Sequence, residues 1–309
     1  MLWLGLVILA PLAVLAHFSV FTTVVILALI GGFSWKRKFS ALLKPEQDTI
    51  LETFPVSHYV EKARWSMDYL GIPYQEQQNV GVLGMLLKVR MVPRLYSEKH
   101  RTSIEGSDNI LRYLWGQYST EPKAKFLEPT REALSLEALM DDFGMHIRRV
   151  VYYYVLPDYE LSLKVWGLRQ AAVPEWQRNL LRPARPVLTA FIRKALKVDR
   201  SGAERSLEVV RETFNKIDEK LSDNRKFILG GQEPTFVDIT WASLSALAVL
   251  PDNYGTSVLD DSRLNLKDLD PKLQDLVKEM RDRPAGKFTL RMYEEFREPQ
   301  PVVAKAGNF

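Results

Sequence analysis

The stretch "FPVSHYVEKARWSMDYLGIPY", Phe54 to Tyr74, places a small hydroxyl, Ser57, where a loop runs into an amphipathic helix. Ser57 can cap that helix by accepting from a backbone N–H. It can also donate to an anion gathered at the partly positive helix end. Ser107 stands the same way at the head of "SDNILRYLWGQY", with Asp108 suited to the first helical turn. Other chemistry is scarce. The chain has no cysteine, which removes disulfides, thiolate nucleophiles, iron–sulfur clusters and cysteine-bound zinc. Its four histidines, His17, His58, His100 and His146, are too scattered for a multi-histidine site, so no metal is expected. A net charge of +4 is too weak to argue for nucleic acid.

These groups need elements to hold them. With 309 residues, 46% hydrophobic and 26% charged, the chain is an ordinary folded one with room for one large or two modest domains. Residues 49–53 read as a short strand. The helix that follows carries Val60, Ala63, Met67 and Leu70 as one apolar stripe. Gly71 suits its left-handed cap, and Pro73 blocks continuation. Residues 74–80 read as a second strand and 91–96 as a third, with "RTSIEG" returning antiparallel after the turn "SEKH". The helix from Ser107, its expected N-cap, buries Ile110, Leu111 and Leu114. This order, with a proline directly before the third strand, predicts an α/β thioredoxin-like domain over residues 48–120. Beyond it only helical patterns remain, at 130–155, 175–198, 202–221, 236–250 and 271–296. An all-helical domain is therefore expected over 121–298, with a tail at 299–309.

The first thirty-five residues are a separate object, without a single charged side chain. Their apolar run exceeds the roughly 20 residues needed to cross a bilayer core. A cleavable signal would open on positive charge and have a shorter apolar core. Here Lys36-Arg37-Lys38 follows the run instead. The expectation is a single-pass transmembrane helix at 1–35 and a basic linker at 36–47. The positive-inside rule then leaves the N-terminus outside and the soluble domains facing the cytosol. A helical hairpin turning near Pro11 or His17, a hydrophobic presequence and a buried core helix are the alternatives.

"SHYVEKARWSMDYLGIPYQE", "MVPRL" and "GSDNILRYL", in that order, resemble the N-terminal domain of the glutathione S-transferase family. "FILGGQEPTFVDITWASLSAL" resembles that family's C-terminal signature, and its Thr235 and Asp238 form a capping box that marks the fold rather than the active site. "MDDFGMHIRRVVYYYVLPD" and "RDRPAGKFTLRMYEEFRE" resemble a bacterial-type subgroup, so the similarity spans 48–298. The resemblance implies glutathione as co-substrate and Ser57 as the hydroxyl that holds its thiolate, as in serine-type members. It also implies a cis Pro93, so that Val92 pairs its backbone with the tripeptide. Gly106, Ser107 and Asp108 fall where the γ-glutamyl carboxylate binds. Lowering a thiol pKa by about two units takes about 2.7 kcal/mol. A hydrogen bond to a charged group supplies about 1.5–3 kcal/mol, and a helix end about 0.3–1. No general base is required. The tyrosine-type slot, four positions earlier, is Thr53. Three positions depart from the family pattern: His58 for proline, Val60 for cysteine, and Gly106 for an acid or glutamine.

Two functions follow from the resemblance. One is a membrane-anchored glutathione transferase that conjugates glutathione to a small hydrophobic electrophile, or uses it for reduction. Its partners would be glutathione, the electrophile, the lipid bilayer and a possible homodimer. The alternative, favoured by the departures at His58 and Gly106, is a non-catalytic adaptor tethered to a membrane. Tyr152, Tyr153, Tyr154, Arg148 and Arg149 read equally as electrophile pocket or core. The segment "EWQRNLLRPARPVLTAFIRKALKVDR" carries seven bases against two acids, and reads as a solvated basic face or a helix lying on anionic headgroups.

Overall fold

The computed structural model describes residues 48–54, 56–80, 92–97, 101–256 and 262–298. All of these lie within one unit, Gln47–Asn308. The apolar run 1–35, the linker 36–47, the tail 299–309, His17 and His100 lie outside the described residues. Among the described residues, no helix is long and apolar enough to cross a membrane.

Strand β1 (Thr49–Thr53) leads into α1 (His58–Leu70) and β2 (Gln75–Gln78). Next come β3 (Arg94–Ser97), β4 (Thr102–Glu105) and α2 (Ser107–Tyr118). The sheet order is β2-β1-β3-β4. β1 pairs parallel with β2 and antiparallel with β3, and β3 pairs antiparallel with β4. The parallel pair needs a crossover, and α1 provides it. Gly71 ends α1 at φ 75, a conformation that costs glycine little, and the next amide, Ile72 N–H, donates to Met67 O. This is the expected thioredoxin-like arrangement, with β1 as the sequence suggests and the other three strands two or three residues shorter.

Strand β2 reads "QEQQ" and has no apolar residue to hold it. Its anchor is Glu76, fully buried, which accepts from Arg64 Nε (3.0 Å) and Nη2 (2.7 Å) and from Thr53 Oγ1 (2.8 Å). The single stripe expected on α1 is accordingly only part of its buried surface. Glu61, Lys62, Arg64 and Asp68 are buried as well, because ionic partners within α1 and on neighbouring elements take up their charge, and buried Ser66 donates to Lys62 O at 2.8 Å.

After a short 3₁₀ turn, the second domain comprises α3 (Arg131–Val155), α4 (Tyr159–Val165), α5 (Glu175–Ala195), α6 (Arg200–Lys220), α7 (Phe236–Val249), α8 (Pro271–Asp282) and α9 (Pro284–Phe296). Helix α7 is apolar around nearly its whole circumference and packs against α1, α3, α8 and α9. Its start is fixed by Asp238, whose carboxylate accepts from Thr235 N–H (2.7 Å), Thr235 Oγ1 (2.8 Å) and Ile228 N–H (2.8 Å). The capping box is thus structural, as expected. Three readings need correction. The helix expected at 271–296 is two, because Pro284 has no N–H to continue the ladder and opens α9 instead. Helix α4 was not expected; Asp158 caps it by accepting from Leu161 N–H at 2.8 Å. Ser107 is the first helical residue, and Gly106 is the N-cap.

Candidate functional site

The strand pairings decide where the site residues meet. β1 and β4 both run antiparallel to β3, so the ends of β1 and β4 lie beside the start of β3, with Glu52, Arg94 and Glu105 in register. Ser57 follows β1, Val92 and Pro93 precede β3, and Gly106, Ser107 and Asp108 follow β4. All six therefore gather at one end of the sheet. Two strand spacings span roughly 10 Å, which is also the length of three extended residues, roughly 10 Å.

Ser57 is the N-cap of α1, with φ −73 and ψ 124, and its side chain makes no capping bond. Its backbone does the holding: Ser57 N–H donates to Phe54 O and Glu61 N–H donates to Ser57 O, each at 3.0 Å. The half-buried hydroxyl makes no side-chain hydrogen bond among the described residues. The Val92–Pro93 bond is cis. Pro93 O accepts from Gly106 N–H at 3.0 Å, which ties the start of β3 to the mouth of α2. Among the described residues, nothing pairs with the backbone N–H or C=O of Val92.

Gly106 sits at φ 90 and ψ 140, where side chains are rarely tolerated. A Cβ there would stand 2.8 Å from Asp108 Oδ1. The residue gives the site backbone only. Ser107 is buried at the first turn of α2 with no side-chain capping bond, and Asp108 is exposed beside it. The tyrosine-type slot, Thr53, is fully buried and bonded to Glu76, so it faces no ligand.

His58 packs behind Ser57. Its Nε2 lies 2.9 Å from Gly144 O; a carbonyl only accepts, so Nε2 carries the proton. Burial, aided by the nearby Arg148 cation, lowers its pKa to about 3 and keeps the ring neutral. It is a domain contact, not a base. Tyr59 Oη donates to Asp141 O at 2.6 Å, and Lys62 pairs with Glu137 (2.9 Å) and Asp141 (3.0 Å). These bonds dock α1 on α3.

Of two further neighbours of Ser57, Tyr254 carries no local sequence signal, and Arg148 is one of the residues read as electrophile pocket or core. Tyr254, in the loop after α7, donates its hydroxyl to Val56 O at 3.0 Å and so fixes the residue before Ser57. Arg148 acts electrostatically on His58, Tyr59 and Tyr152, and makes no ion pair among the described residues. Its neighbour Arg149 is spent elsewhere, on Leu196 O (2.7 Å) and Ser206 Oγ (2.6 Å). His146 bonds Ser206 Oγ at 3.1 Å. Among the described residues, no group of acids and histidines is arranged to hold a metal.

A separate cavity of about 740 Å³ opens at the other end of α1, between Trp65, Tyr69, Lys123, Phe126, Glu233 and Glu295. It lies some three turns of α1 away from Ser57 and shares no residue with the sheet-end cluster.

Comparison with known proteins agrees with this fold. Residues 51–122 match the family model of the glutathione S-transferase N-terminal domain. No curated protein matches the chain. A glutathione S-transferase of Ceriporiopsis subvermispora, solved in complex with glutathione, superposes with a TM-score of 0.50 at 16% identity, over 83% of this chain and 100% of its own. A glutathione transferase from Phanerochaete chrysosporium gives 0.51 at 15% identity, over 82% and 99%. The first domain of this chain therefore carries the family signature of the glutathione S-transferases, and the two domains together have their fold.

Proposed function

We propose that the protein is a glutathione transferase in which Ser57 holds the glutathione sulfur as a thiolate. The observation that carries this reading is the gathering of an uncommitted Ser57 hydroxyl, the backbone of Val92 before cis Pro93, and the α2 mouth at one sheet end. Val92 pairs with the cysteinyl backbone, and the N–H groups of α2, with Ser107, receive the γ-glutamyl carboxylate. The thiol gives its proton to water. The thiolate sulfur then forms a bond to an electrophilic carbon, and any leaving group departs with its electron pair. The electrophile is small and hydrophobic. The run 1–35 serves as a single-pass anchor with the enzyme on the cytosolic side, where reduced glutathione is found.

The first test is thermal unfolding of the full chain in detergent with and without glutathione. Ligand at a hundredfold excess over Kd stabilises by about 2.7 kcal/mol, so a clear rise in Tm is expected. Ser57→Ala should keep most of that rise yet raise the bound thiol's pKa, read from thiolate ultraviolet absorbance against pH. Losing a bond to a charged sulfur costs about 1.5–3 kcal/mol, so turnover should fall roughly tenfold to a hundredfold. A second reading, a tethered non-catalytic adaptor, draws on Gly106, which offers no side chain where relatives carry an acid or glutamine. An unchanged Tm would select it.

A further inference from the structure

The antiparallel docking of α1 on α3 decides which part of α3 overlooks Ser57. Lys62 meets Glu137 and Asp141, Tyr59 meets Asp141 O, and His58 meets Gly144 O. As α1 is followed back to its start, its partners therefore advance along α3. Glu137, Asp141, Gly144, Arg148 and Tyr152 follow one another by four, three, four and four residues, so they share one face of that helix. At about 1.5 Å per residue, Arg148 stands roughly 6 Å beyond Gly144 and Tyr152 roughly 12 Å beyond it. This length of the face runs past the first turn of α1, alongside Ser57 and the residues before it. A second contact agrees: Tyr254, whose hydroxyl holds Val56 O, is within electrostatic reach of Tyr152.

The same length of α3 is cationic and unopposed. Residues 143–155 contain no acid. The acids of α3 lie nearer its start and are engaged: Glu132 by Lys220, Glu137 and Asp141 by Lys62, and Asp142 by His146. Arg148 is half-buried and makes no hydrogen bond or ion pair among the described residues. A cation facing open water needs no partner, but this one stands within electrostatic reach of the buried His58 and of Tyr59 and Tyr152. The half-buried Tyr152 hydroxyl is also without a hydrogen bond among the described residues, and burial raises its pKa, so it remains a donor. A guanidinium and a phenol, one turn apart and both lacking an acceptor, suit a carboxylate. We infer that the electrophile of the proposed reaction carries a carboxylate, which Arg148 and the Tyr152 hydroxyl bind while its reactive carbon faces the sulfur at Ser57. This rests on the glutathione reading of the sheet-end cluster, and it makes Arg148 the residue that sets which electrophiles are accepted.

Two glutathione conjugates that differ in one group test it: S-(para-carboxybenzyl)glutathione and its uncharged para-carbamoyl counterpart. Isothermal titration of the full chain in detergent should show the carboxylate conjugate binding roughly tenfold tighter or more, the worth of a bond to a charged group. Arg148→Gln should erase that preference and leave the affinity for glutathione itself unchanged. Arg148→Lys keeps the charge but loses the planar fork, and should restore part of the preference. Tyr152→Phe should reduce it by a smaller factor. Equal affinities for the two conjugates in the native protein overturn the inference, while glutathione binding keeps the transferase reading. Weaker glutathione binding in Arg148→Gln overturns it too, and assigns the cation to a carboxylate of the tripeptide. Equal losses of both conjugates in that variant make Arg148 structural. If neither glutathione nor either conjugate binds the native chain, the transferase reading itself falls and this inference with it.

Discussion

His58 stands next to the proposed thiolate donor, yet the structure gives it a supporting part. Its ring is neutral, buried, and bonded to Gly144 O at 2.9 Å, with a pKa lowered to about 3. The unfolded chain would bind a proton there near pH 6.5. The folded state therefore holds fewer protons below that value, and stability must fall as pH drops from about 6.5 towards 3, by roughly 1.4 kcal/mol per unit from this group. His58→Gln keeps a donor for the carbonyl and cannot titrate, so its urea midpoint should vary less between pH 7 and pH 5 than that of the native protein. An equal slope in both would remove the burial argument. At this scale the sequence is readable where chemistry is local. A hydroxyl before an apolar stripe, a Val-Pro pair before a strand and a serine heading a helix were each visible, and the structure gathers all of them. Tyr254 was not, because its bond to Val56 O joins residues 198 positions apart. Nor was the glycine conformation at 106, where φ is 90 and the N–H donates to Pro93 O.

The helix-to-helix contact behind the site depends on Gly144. A Cβ at that position would lie 2.6 Å from Tyr59 Oη and 2.9 Å from Tyr59 Cζ. Tyr59 cannot swing aside without surrendering its 2.6 Å bond to Asp141 O. Gly144→Ala should therefore destabilise by about 1–3 kcal/mol through overpacking, although alanine is the better helix former by about 1 kcal/mol. Equilibrium denaturation with an unchanged m-value is the measurement; a stabilised variant would mean that α1 and α3 do not approach this closely. Residues 131–155 were legible as a helix from their periodicity, but nothing in that pattern says which glycine admits a neighbour. The same limit explains α8 and α9. Their apolar periodicity runs through Pro284 without a break, and a proline is compatible with a kink or with a new first turn. What chooses is the packing of Gly286 on the end of α8, where a Cβ would fall 1.8 Å from Met280 O.

The two domains share a buried ionic cluster that no local motif announces. Arg64 joins Glu76 and Glu61, while Arg297, just past α9, donates from Nε to Glu61 Oε1 and from Nη1 to Asp68 Oδ2, both at 2.8 Å. All five groups are at most 4% exposed. Three acids against two bases leave the cluster short of cations. Burial alone would push Glu61 up, but Arg297 and Arg64 outweigh it and hold its pKa below the ordinary value. At Asp68 burial wins over Arg297, and the pKa is raised. Glu61 thus stabilises the fold above its unfolded pKa and loses that contribution as pH falls through the folded one; Asp68 has the opposite sign. Arg297→Met removes the cation that the C-terminal end supplies to α1, leaving Glu61 to Arg64 alone and Asp68 without a cation, so the loss should be about 3–5 kcal/mol near neutral pH. The deficit must shrink in acid, because a stranded Asp68 can then take up a proton and enter the core uncharged. Adding Asp68→Asn should restore part of the stability at pH 7 and little at pH 5. Paired melting curves for the native, single and double variants measure both effects. A deficit independent of pH and untouched by Asp68→Asn would mean that Arg297 acts by packing its guanidinium 5.4 Å above the Trp65 ring, and not by charge.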